Sequence, residues 1–118
     1  MLLVVLAACG QASVTTATSS AGPITTLSYA DQGKALYDRY CAHCHGVDLQ
    51  GGKAGTDLLG PEFRADQMDD TAYLVAVTDG VPAGKRPEFS GMAAVAGLDH
   101  SDIARITAYI RQRQDETG

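Results

Sequence analysis

Tryptophan is absent from this chain of 118 residues, and aromatic residues make up only 6% of it. A core with so few aromatic side chains is modest, and a large apolar ligand at its centre would add to it. The chain also lacks the excess of Lys and Arg that nucleic-acid binding requires, since nine basic residues stand against fourteen acidic ones. We therefore expect one acidic domain that binds no nucleic acid.

The first thirty residues contain no charged side chain, and the first charged residue of the chain is Asp31. Residues 1–8 are apolar, too few to cross a bilayer as a helix but typical of the apolar region of a signal peptide. Residues 11–27 are rich in Ser, Thr, Ala and Gly, the composition of a flexible linker. We predict a signal peptide over 1–8, a linker over 9–28 and a folded domain over 29–118.

The three cysteines indicate more than one use for this residue type, because an odd number cannot all form disulfides within one exported chain. Leu6-Ala7-Ala8-Cys9 resembles the cleavage box of bacterial lipoproteins. The resemblance implies that Cys9 becomes a lipidated N-terminus and holds the protein at the periplasmic side of a membrane. The basic segment that usually precedes such a box is missing, and a plain signal peptide with an incidental cysteine is the alternative.

Three helices are predicted in the remaining chain, with no strand alternation between them. The first follows Ser28-Tyr29-Ala30-Asp31, which has the form of a capping box. The second covers about 71–79 and ends at Gly80, and the third covers about 99–114 with Asp99 as its N-cap. The fold class is therefore all-α, with loops so long that we expect them to wrap a ligand.

The segment Cys41-Ala42-His43-Cys44-His45 matches C-x-x-C-H, the attachment signature of c-type haem. Cysteines three residues apart share one face of a helix, where each can bond one vinyl group of the same porphyrin. The adjacent His45 is then placed to bind the iron. A zinc site would need four ligands, a thioredoxin-like pair would need a βαβ context, and a simple disulfide would leave His45 without a role.

At this point the chain resembles the class I cytochromes c. The resemblance lies in Gly33-Lys34-Ala35-Leu36-Tyr37, in Tyr40 through Gly46, and in the late Leu98 through Ile103 and Ala108 through Arg111. It implies a cytochrome c fold of three main helices with long loops around one covalent haem c.

The resemblance also implies that the first and last helices cross. Gly33 and Tyr37 would meet Tyr109 there, which would explain a glycine inside a helix.

The sixth iron ligand implied by this family is a methionine sulfur opposite His45. Family members often read M-P-x-F-x-G-L before the last helix, where this chain has Met92-Ala93-Ala94-Val95-Ala96-Gly97-Leu98. The register matches without a gap, although Ala93 and Val95 depart from the pattern. We therefore predict Met92 as the sixth ligand.

Other residues compete for places in this site. Arg86-Pro87-Glu88-Phe89 also fits M-P-x-F, but with an Arg that cannot bind iron. Met68 is another candidate ligand, although core packing is its expected role. Pro61 is interpreted as the family's proline whose carbonyl accepts the N–H of His45.

The function predicted from these features is the transfer of single electrons, without catalysis by this chain. Expected donors are a quinol-oxidising complex or a dehydrogenase, and expected acceptors are an oxidase or a reductase. We expect a monomer held at the membrane by its lipid. The alternatives are a haem-based sensor or small-ligand binder with an open sixth site, and an electron-entry subunit of a larger oxidoreductase.

Overall fold

The computed structural model describes residues 27–84 and 90–118. Its helices are α1 (Tyr29–Tyr40), α2 (Ala42–His45), α3 (Asp70–Asp79) and α4 (His100–Thr117), and a short 3-10 turn (Pro61–Phe63) lies between α2 and α3. The described ranges contain no β-strand, which confirms the all-α prediction. The predictions for Cys9 and for the Arg86-Pro87-Glu88-Phe89 segment lie outside these ranges.

Two capping boxes start the first and last helices. The Asp31 amide donates to the Ser28 hydroxyl at 3.1 Å, and the Ser28 amide donates to the Asp31 carboxylate at 3.3 Å. Asp99 and Asp102 repeat this exchange at the start of α4, at 2.8 and 3.3 Å. Each box satisfies two N–H groups that a helix start leaves without partners. Both predicted N-caps are confirmed.

The bounds of α3 and α4 agree with the sequence prediction to within three residues. The backbone of Cys41 (φ −120°, ψ −34°) leaves the helical region and separates α1 from α2. Asp69 caps α3, where its carboxylate accepts from the amide of Ala72 at 3.1 Å. At the other end α4 continues to Thr117, whose hydroxyl bonds the carbonyl of Arg113 at 3.0 Å.

Helices α1 and α4 cross at Gly33, as the family resemblance implies. A Cβ atom at Gly33 would overlap the backbone carbonyl of Arg105, and Ile106 is the next neighbour. The rings of Tyr37 and Tyr109 meet one turn further on, with centroids 5.5 Å apart. Gly33 therefore faces Arg105 and Ile106 rather than Tyr109, and the absence of a side chain is what lets the two backbones touch.

The core lies between this crossing and the loop that follows α2. From α4, Ile103, Ile106 and Ile110 are buried, and their spacing places them on one face of the helix. Tyr37 and Leu49 have no exposed surface at all. Leu49 thus brings the loop after α2 into the same core as the helix crossing.

A polar cluster attaches the segment before α3 to the end of α4. The buried Gln114 amide donates to the carbonyls of Leu58 at 2.8 Å and Phe63 at 3.0 Å. Arg111 donates to the Phe63 carbonyl at 2.7 Å and to the Asp70 carboxylate at 2.9 Å. Backbone carbonyls that the irregular segment leaves without helical partners are thereby satisfied.

Candidate functional site

A cavity lined by described residues of α1, α2, α3 and α4 has a volume of about 1340 Å³. Small-molecule pockets commonly measure about 300–1,000 Å³, so this one has room for a large ligand. Four residues singled out from the sequence line it together, namely Cys41, Cys44, His45 and Met92. The fifth, Pro61, does not.

The two cysteines occupy the wall formed by the end of α1 and by α2. Cys41 is 8% exposed, Cys44 is half-buried, and both are free thiols rather than a disulfide. Burial, and then the proximity of Cys44, raise the pKa of the Cys41 thiol to about 11. The Cys41 side chain thus lines the cavity while being almost inaccessible to solvent.

His45 is fixed by hydrogen bonds at its backbone and at its ring. Its amide donates to the Cys41 carbonyl at 2.9 Å, and its carbonyl accepts from the Gly51 amide at 2.7 Å. Ring atom Nδ1 lies 2.9 Å from the carbonyl oxygen of Thr56. A carbonyl only accepts, so we assign the proton to Nδ1, which leaves the lone pair of Nε2 free to bind a metal.

The prediction for Pro61 is wrong, because Thr56 supplies the carbonyl that faces His45. Pro61 is exposed and instead starts the 3-10 turn. The loop after α2 returns early, through a bond from the Gly52 amide to the Gly55 carbonyl at 3.0 Å. The next residue, Thr56, is therefore the one that reaches the imidazole.

Met92 is held by its backbone next to the cavity. It forms an isolated antiparallel bridge with Val81, in which each amide donates to the other's carbonyl at 2.8 Å. The Val95 amide donates to the Val77 carbonyl at 2.8 Å and fixes the residues that follow. Gly80 (φ 76°) allows this approach, since a Cβ atom there would lie 2.6 Å from the Met92 carbonyl oxygen.

The other sequence candidates take less central positions. Met68 lines the same cavity but packs against the hydrophobic core, so its expected packing role is confirmed. His43 and His100 are exposed. No cluster of three or more His, Cys, Asp or Glu side chains with metal-binding geometry occurs within 27–84 and 90–118.

The donor set of the cavity fits a covalently attached haem. Two thiols three residues apart share one wall, and a histidine with a free Nε2 follows directly after Cys44. A thioether sulfur, that of Met92, belongs to the same cavity, and its remaining walls include Leu58, Val77 and Ile106. These apolar walls suit the apolar body of a porphyrin. They agree with the expectation that the long loops wrap a ligand.

The family model for cytochrome c matches residues 30–114, which is most of the described chain. The chain belongs to the cytochrome c family. Membership implies a covalently bound c-type haem with iron, and Cys41 and Cys44, the two cysteines of the predicted attachment motif, both line the cavity. It also supports haem-based electron transfer as the general function of this cytochrome.

Two curated proteins are similar in sequence to this cytochrome c. Cytochrome c-554(547) of Halothiobacillus neapolitanus is 36% identical over 88 residues, which cover 69% of this chain and 92% of that protein. The Cbb3-type cytochrome c oxidase subunit CcoP of Azospirillum brasilense is 31% identical over 90 residues, covering 73% of this chain but 29% of the subunit. No solved structure gives a significant match.

One group of this site was not predicted from the sequence. The Thr56 carbonyl belongs to the backbone and so has no residue signature, although the glycines of the preceding loop could have indicated a tight return. No helix in the described part of the chain is long and apolar enough to cross a membrane.

Proposed function

We propose that this cytochrome c is a one-electron carrier in which His45 and Met92 are the two axial ligands of the haem iron. The observation that carries the proposal is that both side chains line one cavity with the two attachment cysteines. Their backbones are tied down independently, His45 through Gly51 and Met92 through Val81. Because the two ligands lie on separately fixed segments, the geometry of the iron site would change little between the ferric and ferrous states.

The chemistry supplied by a bound haem is a reversible one-electron couple, and a methionine ligand raises its potential. His45 would contribute Nε2, while the bond from Nδ1 to the Thr56 carbonyl keeps the ring in one orientation. Met92 would contribute a neutral sulfur that both iron valences accept. With both axial positions filled there is no place for a substrate, so we propose a carrier and not an enzyme.

We further propose that the carrier works at the periplasmic face of a bacterial membrane as a monomer. Its donor would be a quinol-oxidising complex or a dehydrogenase, and its acceptor an oxidase or a reductase. The lipoprotein-like box around Cys9 supports a lipid anchor, and the uncharged residues that follow support a flexible tether. Mass spectrometry of membrane fractions tests this, since a soluble mature protein with an unmodified Cys9 contradicts it.

A second candidate function is an electron-entry unit held permanently by a larger oxidoreductase. The similarity to the CcoP oxidase subunit favours it, because the matched region is about the length of a single cytochrome domain. Purification from native membranes separates the two functions. A carrier is recovered alone after mild detergent treatment, whereas an entry unit stays with a larger complex.

The ligand assignment is tested by visible spectroscopy of the oxidised and reduced protein, with and without carbon monoxide. We expect a methionine-to-ferric charge-transfer band that disappears in Met92→Ala, together with carbon monoxide binding in that variant. Met68→Ala is the matched control, because it removes another cavity-lining methionine and should keep the band. Ready carbon monoxide binding by the unchanged reduced protein would contradict the proposal and favour a ligand-binding or sensor function.

A further inference from the structure

We propose that the Tyr37 hydroxyl is a positioning group for His45 and thereby lowers the reduction potential of the haem. The inference rests on His45 being an axial ligand, as in the proposed function. Tyr37 lies one helical turn before Cys41, and its ring packs against Tyr109 in the crossing of α1 and α4. Packing alone would be served equally well by a phenylalanine, so the hydroxyl needs a separate explanation.

The Tyr37 hydroxyl donates to the backbone carbonyl of Gly46 at 2.7 Å. Tyr37 has no exposed surface, so this bond is shielded from water. Burial raises the pKa of the Tyr37 hydroxyl far above its ordinary value, so it remains a donor at any physiological pH. Gly46 directly follows His45 and caps α2, where its amide donates to the Ala42 carbonyl at 2.8 Å. Tyr37 thus holds the residue next to the proposed iron ligand.

The turn that begins at Gly46 is strained and needs external support. The Leu49 amide donates to the Gly46 carbonyl at 3.2 Å, a long bond, and Leu49 has a positive φ of 63°. A branched apolar residue is strained in this region and persists only where its surroundings enforce it. The Gly46 carbonyl, which accepts from both Leu49 and Tyr37, is one of those constraints.

The same turn places the carbonyl that faces His45. The Leu58 amide donates to the Leu49 carbonyl at 2.8 Å, and Thr56 is two residues before Leu58. The Gly51 amide bonds the His45 carbonyl at 2.7 Å from within the same loop. Hydrogen bonds joined by short stretches of backbone therefore connect the Tyr37 hydroxyl, through Gly46, Leu49 and Leu58, to the Thr56 carbonyl at Nδ1 of His45.

The sign of the effect follows from the direction of the last bond. A carbonyl that accepts from Nδ1–H makes the imidazole more basic, and a more basic ligand favours the ferric iron. Without the Tyr37 hydroxyl the turn opens more often, and the bond from His45 to Thr56 is formed for a smaller fraction of the time. The reduction potential should then rise.

The test is Tyr37→Phe in the holoprotein, which keeps the ring and removes only the oxygen. Loss of one hydrogen bond, with a net contribution of about 0.5–1.5 kcal/mol, should make the His45 Nδ1 proton exchange about two- to tenfold faster. NMR of the reduced protein measures this exchange. The potential, measured by redox titration, should shift upward. The amide of Val77 in α3 is the internal reference, and its exchange should not change, because it lies outside this path.

Tyr109→Phe is the matched control, since it alters the other ring of the same aromatic pair. It should leave both the Nδ1 exchange and the potential at their original values. Unchanged exchange in Tyr37→Phe, or an equal change in Tyr109→Phe, would overturn the positioning role. The spectrum of the wild-type protein separates this failure from failure of the proposed function. If the methionine charge-transfer band is present, the proposed function stands even where the role of Tyr37 does not. If the band is absent, the proposed function itself is contradicted.

Discussion

Replacement of Gly33 by alanine should destabilise the protein, although the same change stabilises most helices. In an isolated helix Gly→Ala gains about 1 kcal/mol, because alanine has the higher helix propensity. At Gly33 the new methyl group would overlap the carbonyl of Arg105, which is backbone and cannot rotate away. The two helices would have to separate, and their aromatic pair, Tyr37 and Tyr109, would separate with them.

The magnitude follows from these two opposing effects. Overpacking of a well-packed core costs about 1–3 kcal/mol, and a backbone obstacle puts Gly33→Ala at the upper end of that range. With the gain in helix propensity subtracted, we expect a loss of about 2 kcal/mol in the free energy of unfolding. For a domain of this size that loss lowers the Tm by about 8–16 °C.

Guanidinium unfolding followed by far-ultraviolet circular dichroism measures this free energy in the holoprotein. Ala35→Gly, at an exposed position of the same helix, calibrates the propensity effect and should cost about 1 kcal/mol. The reasoning is refuted if Gly33→Ala is as stable as the wild type or more stable. Such a result would mean that α1 and α4 do not touch at this position.

Three further changes test other parts of the structure. Gly80→Ala should lower the free energy of unfolding by about 1–3 kcal/mol, because φ 76° and ψ 178° suit only glycine. It should also weaken the methionine charge-transfer band by displacing Met92, and an unchanged band would contradict this. Gln114→Leu removes the donor to the Leu58 carbonyl and should cost about 1–3 kcal/mol in denaturant unfolding. Asp99→Ala removes the N-cap of α4 and should cost about 1 kcal/mol by the same assay.

Each of these changes has a control within the same chain. Gly52→Ala should be tolerated, since the nearest atom to its Cβ would lie 3.8 Å away. Gln112→Leu makes the Gln114 substitution at an exposed position of the same helix and should change stability little. Asp99→Asn keeps an oxygen acceptor at the cap and should retain most of its contribution. Equal losses in a variant and its control would contradict the corresponding assignment.

Local features of the fold could be predicted from the sequence because their partners are neighbours in the chain. The capping boxes at Ser28 and Asp99 each join residues three apart, and Gly80 ends α3 through its own backbone conformation. The predicted haem-attachment motif was equally accessible, since all its residues lie between Cys41 and His45.

Features that depend on distant backbone atoms could not be predicted in this way. Pro61 was assigned a role that belongs to the Thr56 carbonyl, because any residue can offer a carbonyl and only the path of the loop selects one. The contact of Gln114 with Leu58 joins residues 56 positions apart. The bridge between Val81 and Met92 was likewise invisible, since two isolated residues produce no strand pattern.

The bridge between Val81 and Met92 has a consequence for how such a protein can diverge. Ten residues of sequence separate two positions that are already bonded to each other at both backbone groups. Insertions or deletions between them would leave the methionine anchored, and doubling the length of such a segment costs only about 0.6 kcal/mol. Evolution can therefore reshape this segment for a new protein neighbour while the proposed iron ligand stays where it is.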